Sequence, residues 1–305
     1  MFKLSILGLT LAALTSTTHA DCGDQIVKLQ VLGSGGPELD DGRASTSYLI
    51  WINGKARVLV DAGGGSSENF EKSGAHVNDL QAVLFSHYHV DHSGDFPAYV
   101  KASFFTSREN NLPVFGPAGN DRMPSTTEFL NALLGKQGVY RYLSSYVEGG
   151  NPSEFKLIPH DVDLSATQVK SFRVNEFVAV DAIPVHHGPI AAIAWRVNMG
   201  QCSISFSGDM NNQTGHLSTL AKGSDLLVAH NAIAESAQGV ARNLHMPPSE
   251  IGKIATQAGV SKLLISHRMK RTSGREQEIA TRAEIGKRYK GPVVFTNDLD
   301  SFHIE

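Results

Sequence analysis

Apolar residues in this 305-residue chain fall mostly in short runs of strand length, divided by glycine, proline and asparagine, and only a few stretches carry a helical period. Residues 26–32 and 45–52 read as strands, and Asn53-Gly54 is the turn of a hairpin leading into a third strand over 57–60. The unbroken apolar run Ala82-Val83-Leu84-Phe85 predicts a buried strand. A short helix follows over 95–104. Next comes a strand over 112–115 that Pro113 assigns to a sheet edge, because proline cannot donate to a ladder. Ser125 and Glu128, ahead of Phe129, Leu130, Leu133 and Leu134, have the form of a capping box opening an amphipathic helix. Strand patterns resume over 155–158, 169–174 and 177–185, the last pair joined by a turn at Asn175-Glu176, and again over 203–206 and 226–230. Pro248 and Ser249 open a helix with Ile251, Ile254, Ala255 and Ala258 on one face, and Gly259 stops it. A buried strand over 263–265, a helix over 275–289 and strands over 293–296 and 301–304 complete the pattern.

Composition alters this picture little. Hydrophobic residues make up 41% of the chain, enough for an ordinary core, and no linker divides it, so residues 21–305 are expected to form a single domain. The first twenty residues differ. Lys3, an apolar run over 4–14, polar Ser16-Thr17-Thr18 and a small-residue end at Ala20 make a secretory signal cut after Ala20. The run falls short of the roughly 20 apolar residues that a membrane span needs, and Asp21 ahead of Cys22 is unlike a lipoprotein site. The expected location is therefore periplasmic or secreted, with no membrane anchor. Removing the segment takes Lys3 from the 27 basic residues and nothing from the 30 acidic ones, which leaves a net charge of −4. Such a surface has no bulk attraction for polyphosphate and counts against nucleic acid as a partner. In an oxidising compartment the two cysteines, Cys22 and Cys202, can pair as a disulfide, and a cysteine metal ligand is the competing reading.

The candidate chemistry lies in Ser86-His87-Tyr88-His89-Val90-Asp91-His92. His87, His89, Asp91 and His92 are metal-binding groups packed into one short stretch, delivered directly by the strand ending at Phe85. On extended backbone His87 and His89 share a side, and a turn at Val90 brings Asp91 and His92 back toward them. The spacing suits two adjacent cations better than one. Imidazole and carboxylate ligands are accepted readily by zinc, and also by iron and manganese.

This string resembles the signature of the metallo-β-lactamase-fold hydrolases. Together with Leu32-Gly33-Ser34-Gly35-Gly36-Pro37, Arg43, Ser47-Tyr48-Leu49, Leu59-Val60-Asp61-Ala62-Gly63-Gly64-Gly65 and Gly116-Pro117-Ala118-Gly119, it is similar to the ribonuclease Z and arylsulfatase-like branch. The resemblance implies an α/β fold, a four-layer αββα sandwich, with two divalent ions, zinc above all, at one sheet edge. Carried over position by position, it implies that His187 of His186-His187-Gly188 completes the first shell, with His186 as the alternate, and that Asp209 of Ser207-Gly208-Asp209 bridges both ions. One ion is then assigned to His87, His89, His187 and Asp209, and the other to Asp91, His92, Asp209 and His267. Asp91 is read as catalytic too, and His245 of Leu244-His245-Met246 as the acid that protonates the leaving group. Asn231 stands where ribonuclease Z members carry a glutamate, so their proton relay is not carried over; His230 is left to act alone or, as the default, to make a structural hydrogen bond.

The implied reaction is hydrolysis of a small phosphodiester, sulfate ester or related ester by a hydroxide shared between the ions. Asp209 counts against β-lactam cleavage, since members with that activity usually differ there. Lactone or β-lactam hydrolysis is the enzymatic alternative, and a secreted metal-binding protein without turnover is the non-enzymatic one. Arg268, Lys270 and Arg271 are candidates to orient a small anion. The secretion signal, the acidic balance and the lack of a basic glycine-rich arm argue against transfer-RNA processing. The expected partner is a small-molecule ester, and a homodimer is left open.

Overall fold

In a computed structural model, residues 22–149 and 155–304 are described, so the signal segment expected over 1–20 lies outside them. The strands, in chain order, are β1 (Val27–Gly33), β2 (Ser47–Ile52), β3 (Lys55–Val60), β4 (Ala82–Leu84), β5 (Leu112–Pro117), β6 (Leu157–Val162), β7 (Lys170–Arg173), β8 (Val178–His187), β9 (Ile190–Met199), β10 (Cys202–Phe206), β11 (Leu226–His230), β12 (Lys262–Ser266), β13 (Val293–Phe295) and β14 (Ser301–Ile304). They form two seven-stranded sheets, ordered β14-β1-β2-β3-β4-β5-β6 and β13-β12-β11-β10-β9-β8-β7.

Period-two alternation explains the layering. Along β2, Tyr48, Ile50 and Ile52 enter a core shared with the second sheet, where Trp195, Phe206 and Leu264 meet them. Leu49 and Trp51 point the other way, toward Phe70, Phe96, Tyr99 and Leu130 beneath the helices Ser66–Lys72, Phe96–Ser103 and Thr126–Leu134. The second sheet does the same with the helices Pro248–Ala258 and Arg275–Gly286, through Ile251, Ile254, Ala255 and Ile285. The result is the expected αββα sandwich. Each fully buried large side chain, such as Trp195 or Tyr48, contributes roughly 1.5–3 kcal/mol by leaving water. The capping box forms as read: Ser125 Oγ accepts from the Glu128 amide at 3.1 Å, and Glu128 Oε2 accepts from the Ser125 amide at 2.8 Å.

Two expectations are corrected. β5 is not an edge strand, because it pairs with β4 on one side and β6 on the other. Pro113 is tolerated because β4 is so short: its ladder with β5 is registered only at Val114 and Phe115. β9 is the other: no strand was expected over 190–199, yet it pairs with β8 along its whole length.

β3 through β6 run parallel, as do β10 through β13, so the loops after these strands collect along one rim. The second sheet holds the loop after β4 directly: Trp195 Nε1 donates to the Phe85 carbonyl and the Ile193 amide to the Ser86 carbonyl, both at 2.9 Å. Cys22 and Cys202 are joined in a disulfide that spans 180 residues of chain and ties the described N-terminus to the far end of β10. That removes both sulfurs as metal ligands.

Candidate metal centre

Ligands in open α/β sheets bind beyond the carboxyl ends of the strands, and here Asp61 follows β3, His87 to His92 follow β4, Asp209 follows β10, His230 ends β11 and His267 follows β12. Tyr88 turns away from its two histidine neighbours into the helical layer. Its ring stacks on Phe129 at 4.1 Å and its hydroxyl donates to Thr126 Oγ1 at 2.8 Å. His87 and His89 consequently face the rim together, with ring centroids 4.6 Å apart, and His187, the last residue of β8, lies 5.0 and 5.2 Å from them. One ligand atom from each of these three histidines lies within 4.8 Å of the others. The turn Val90–Ser93 folds back as the sequence suggested and places the His92 ring 4.0 Å from that of His87.

Asp209 Oδ2 is the hub of the arrangement. It lies 3.3 Å from His267 Nε2, 3.7 Å from His92 Nε2 and 3.8 Å from His187 Nε2. Asp91 Oδ2 is 3.3 Å from His267 Nε2 and 3.6 Å from His92 Nε2. All seven side chains singled out as ligands therefore converge. His245 joins them, its Nδ1 3.7 Å from Asp209 Oδ2 and its side chain 12% exposed.

The nitrogens themselves test whether a cation fits. His87, His92, His187 and His267 each bury Nε2 without a hydrogen-bond partner, a costly arrangement unless something takes the lone pair. In three of them the other nitrogen is occupied: His87 Nδ1 lies 3.1 Å from Ser86 Oγ, His92 Nδ1 2.8 Å from Asp61 Oδ2, and His187 Nδ1 2.8 Å from the Leu244 carbonyl. Acceptors behind Nδ1 hold a hydrogen there and so leave Nε2 to a metal once the ring is neutral, which is the usual support of a metal-ligating histidine. Imidazoles converging with two carboxylates suit two divalent ions.

Charge divides the site. Burial holds His87 well below the ordinary imidazole value, with neighbouring imidazoles adding to the effect, and it lowers His89 and His187 as well. Burial also opposes charge on His92 and His267, but carboxylates outweigh it. Asp91 and Asp61 raise His92 well above normal, and Asp209 with Asp91 lifts His267 to about 9. Asp209 is held well below the carboxylate range, its burial outweighed by His267 and His245, and Asp91 falls to about 2, where His92 and His267 outweigh burial. Burial and then its cationic neighbours bring His245 down to about 4, against the pull of Asp209.

Other candidate side chains lie apart from the cluster or are paired elsewhere. His186, one residue along an extended strand, faces the opposite way and bonds Asn211 Nδ2 at 2.9 Å, so it is not in the cluster. Arg268 is buried and paired with Glu278, and Lys270 is paired with Asp40. Arg271 alone of that basic trio is exposed without a carboxylate partner among the described residues, its Nε donating to the Ala232 carbonyl at 2.6 Å. Asn231 is buried and donates to the Ile233 carbonyl at 2.9 Å.

Asp61 was missed as a site residue. It sits at φ 54°, a left-handed conformation that costs a non-glycine residue about 1–3 kcal/mol. There its carboxylate takes the Ser86 amide at 2.7 Å, Ser86 Oγ at 2.8 Å and His92 Nδ1 at 2.8 Å. The signal was its place at a strand end ahead of a glycine run. One position in that run and one in the earlier Gly33-to-Gly36 cluster matter sterically: a Cβ on Gly63 would lie 2.2 Å from the Asp91 carbonyl oxygen, and one on Gly36 would lie 2.8 Å from His267 Cε1.

The family model described as "Metallo-beta-lactamase superfamily" matches residues 40–251. A protein named ribonuclease Z from Mycolicibacterium paratuberculosis (strain ATCC BAA-968 / K-10) is 28% identical over 300 residues, covering 92% of this chain and 99% of its own length. The metallo-beta-lactamase fold protein YhfI from Bacillus subtilis superposes with a TM-score of 0.71 at 20% identity, covering 92% of this chain and 99% of its own. The short form of human tRNase Z superposes with a TM-score of 0.67 at 16% identity, covering 91% of this chain and 99% of its own.

Proposed function

Since this chain belongs to the metallo-beta-lactamase superfamily, with its similarity running to the ribonuclease Z branch, we propose that it is a metal-dependent phosphodiesterase acting on small, anionic esters outside the cytoplasm. The observation that carries this reading is the ring of four partnerless, buried Nε2 atoms disposed about the two carboxylates. His87, His89 and His187 would hold one divalent ion and Asp91, His92 and His267 the other, with Asp209 between them and zinc the natural occupant. Such a pair supplies Lewis acidity, making water a nucleophile near neutral pH and neutralising charge that grows on a phosphoryl oxygen.

The rest of the work falls to the protein. Arg271, four residues beyond His267, has charge to spare for a substrate anion, and guanidinium geometry matches phosphate oxygens. His245 is placed to hold the proton that the leaving oxygen takes. In the metal-free protein burial lowers its pKa to about 4.

Secretion rests on the sequence of residues 1–20, and a cystine between Cys22 and Cys202 suits an oxidising compartment. RNA is the competing phosphodiester, supported by the ribonuclease Z relatives and opposed by the acidic balance.

Purified protein would be assayed with bis-p-nitrophenyl phosphate, p-nitrophenyl sulfate, a lactone, nitrocefin and a transfer-RNA precursor, before and after chelation. Expected is phosphodiester cleavage that chelation abolishes and zinc restores. Fastest turnover of the lactone or of nitrocefin would refute the substrate class, and efficient cleavage of the precursor alone would transfer the assignment to RNA. Two bound metal equivalents with no turnover on any of them would mark a metal-binding protein.

A further inference from the structure

One ring nitrogen of His230 lies within 4.8 Å of potential ligand atoms of His92, Asp209 and His267, yet both of its ring nitrogens are already engaged. Its Nδ1 is 2.8 Å from Asp209 Oδ1 and its Nε2 is 3.0 Å from the Tyr48 hydroxyl. The direction of both bonds is forced by donor chemistry. A carboxylate can only accept, so Nδ1 carries the hydrogen; Nε2 of the neutral ring is then bare and accepts from the Tyr48 O–H. No lone pair is left for a metal.

We infer that Tyr48 and His230 are positioning residues that grip Asp209 by Oδ1 and so leave Oδ2 alone to face the histidines that would hold the metal ions. This deepens the reading of the site given above and rests on it. All three residues are buried to within 3% of complete exclusion from water, so no solvent molecule substitutes for either bond. Each is fixed from behind. The Tyr48 ring packs 5.3 Å from Phe206, and the His230 amide donates to Ser207 Oγ at 3.0 Å. Asp209 Oδ2 is the oxygen within 3.3 to 3.8 Å of the His267, His92 and His187 nitrogens, while Oδ1 is turned toward His230. The chain also crosses the sandwich, because Tyr48 belongs to β2 of the first sheet and His230 to β11 of the second. The spacing of the bridging atom from the histidines is thus set by contacts in both sheets.

The test is zinc affinity, read by competition with a chromophoric chelator, together with the visible spectrum of the cobalt-loaded protein. His230→Ala is expected to weaken binding 10- to 100-fold, the usual loss when a ligand's supporting partner is removed, and to change the cobalt spectrum as Oδ1 is released. His230→Asn should recover most of the affinity, because its amide nitrogen can stand where Nδ1 stood. Tyr48→Phe keeps the packed ring and so remains folded. It should weaken binding by less than His230→Ala, and should add nothing in the His230→Ala background if Tyr48 acts only through His230. Wild-type affinity and spectrum in either His230→Ala or Tyr48→Phe would overturn the inference, as would additive losses in the double variant. His267→Ala separates this from the underlying reading, since it must lose one zinc equivalent. Two equivalents retained there, or none bound by the wild type, would instead defeat the metal centre itself.

Discussion

A methyl group added at Gly36 would lie 2.8 Å from His267 Cε1 and 3.2 Å from its Nδ1, so Gly36→Ala must push that imidazole out of line. We expect at least a tenfold loss of zinc affinity with little change in the stability of chelator-treated protein, measured by competition titration and thermal melts. Protons compete for the same ring. The pKa of His267 is raised to about 9, so it is charged at neutral pH in stripped protein and must lose its proton to bind metal. Affinity should therefore strengthen as pH rises from 6 toward 9; a pH-stat should record acid release on zinc addition, and affinity that weakens with rising pH over that window would contradict the assignment. His245→Ala should slow esters with poor leaving groups more than activated nitrophenyl esters, and equal losses would remove it as proton donor. What the sequence disclosed at this scale was whatever it held contiguously or at a strand end: His87 to His92 as one string, His187, Asp209 and His267 by resemblance. Asp61 and Tyr48 were hidden because their roles depend on reach across space, 25 residues to Ser86 and 182 residues to His230.

Between residues and fold, the loops after the parallel strands set the tolerances. A Cβ on Gly63 would meet backbone on two sides, 2.2 Å from the Asp91 carbonyl oxygen and 2.8 Å from Ser45. Backbone cannot swing aside as a side chain can, so Gly63→Ala should cost about 1–3 kcal/mol of stability and displace the turn Val90–Ser93, lowering both the melting temperature and the metal content. The elements found from sequence were those with a clean local signal, such as the capping box at Ser125 or the glycine stop at Gly259, which adopts φ 64°. β9 was overlooked because its first half, Ile190 to Ala194, is an alanine-rich apolar run with no period, although Trp195-Arg196-Val197-Asn198-Met199 does alternate as a half-buried strand should. Pro113 misled for the opposite reason: a sound local rule met a neighbour, β4, too short to need the missing donor.

For the molecule as a whole, the disulfide and the rim lie at opposite ends of β10, which starts at Cys202 and leads to Asp209. Cys22→Ser should therefore destabilise the protein by about 2–4 kcal/mol in denaturant melts and leave kcat of the zinc-loaded enzyme unchanged; a fall in kcat would mean the staple reaches the site. The four-layer architecture was legible through the resemblance, whereas sheet order depends on pairings hundreds of residues apart, such as β1 with β14, which no local pattern encodes.

Of the seven converging side chains, four come from the loop after β4 in the first sheet, and His187, Asp209 and His267 come from the second. Two metal ions seated there would act as a rivet across the seam of two half-sandwiches, so a filled rim would resist prying apart in a way that neither sheet's own hydrogen bonds provide, and metal loading and mechanical closure would become one property of the molecule.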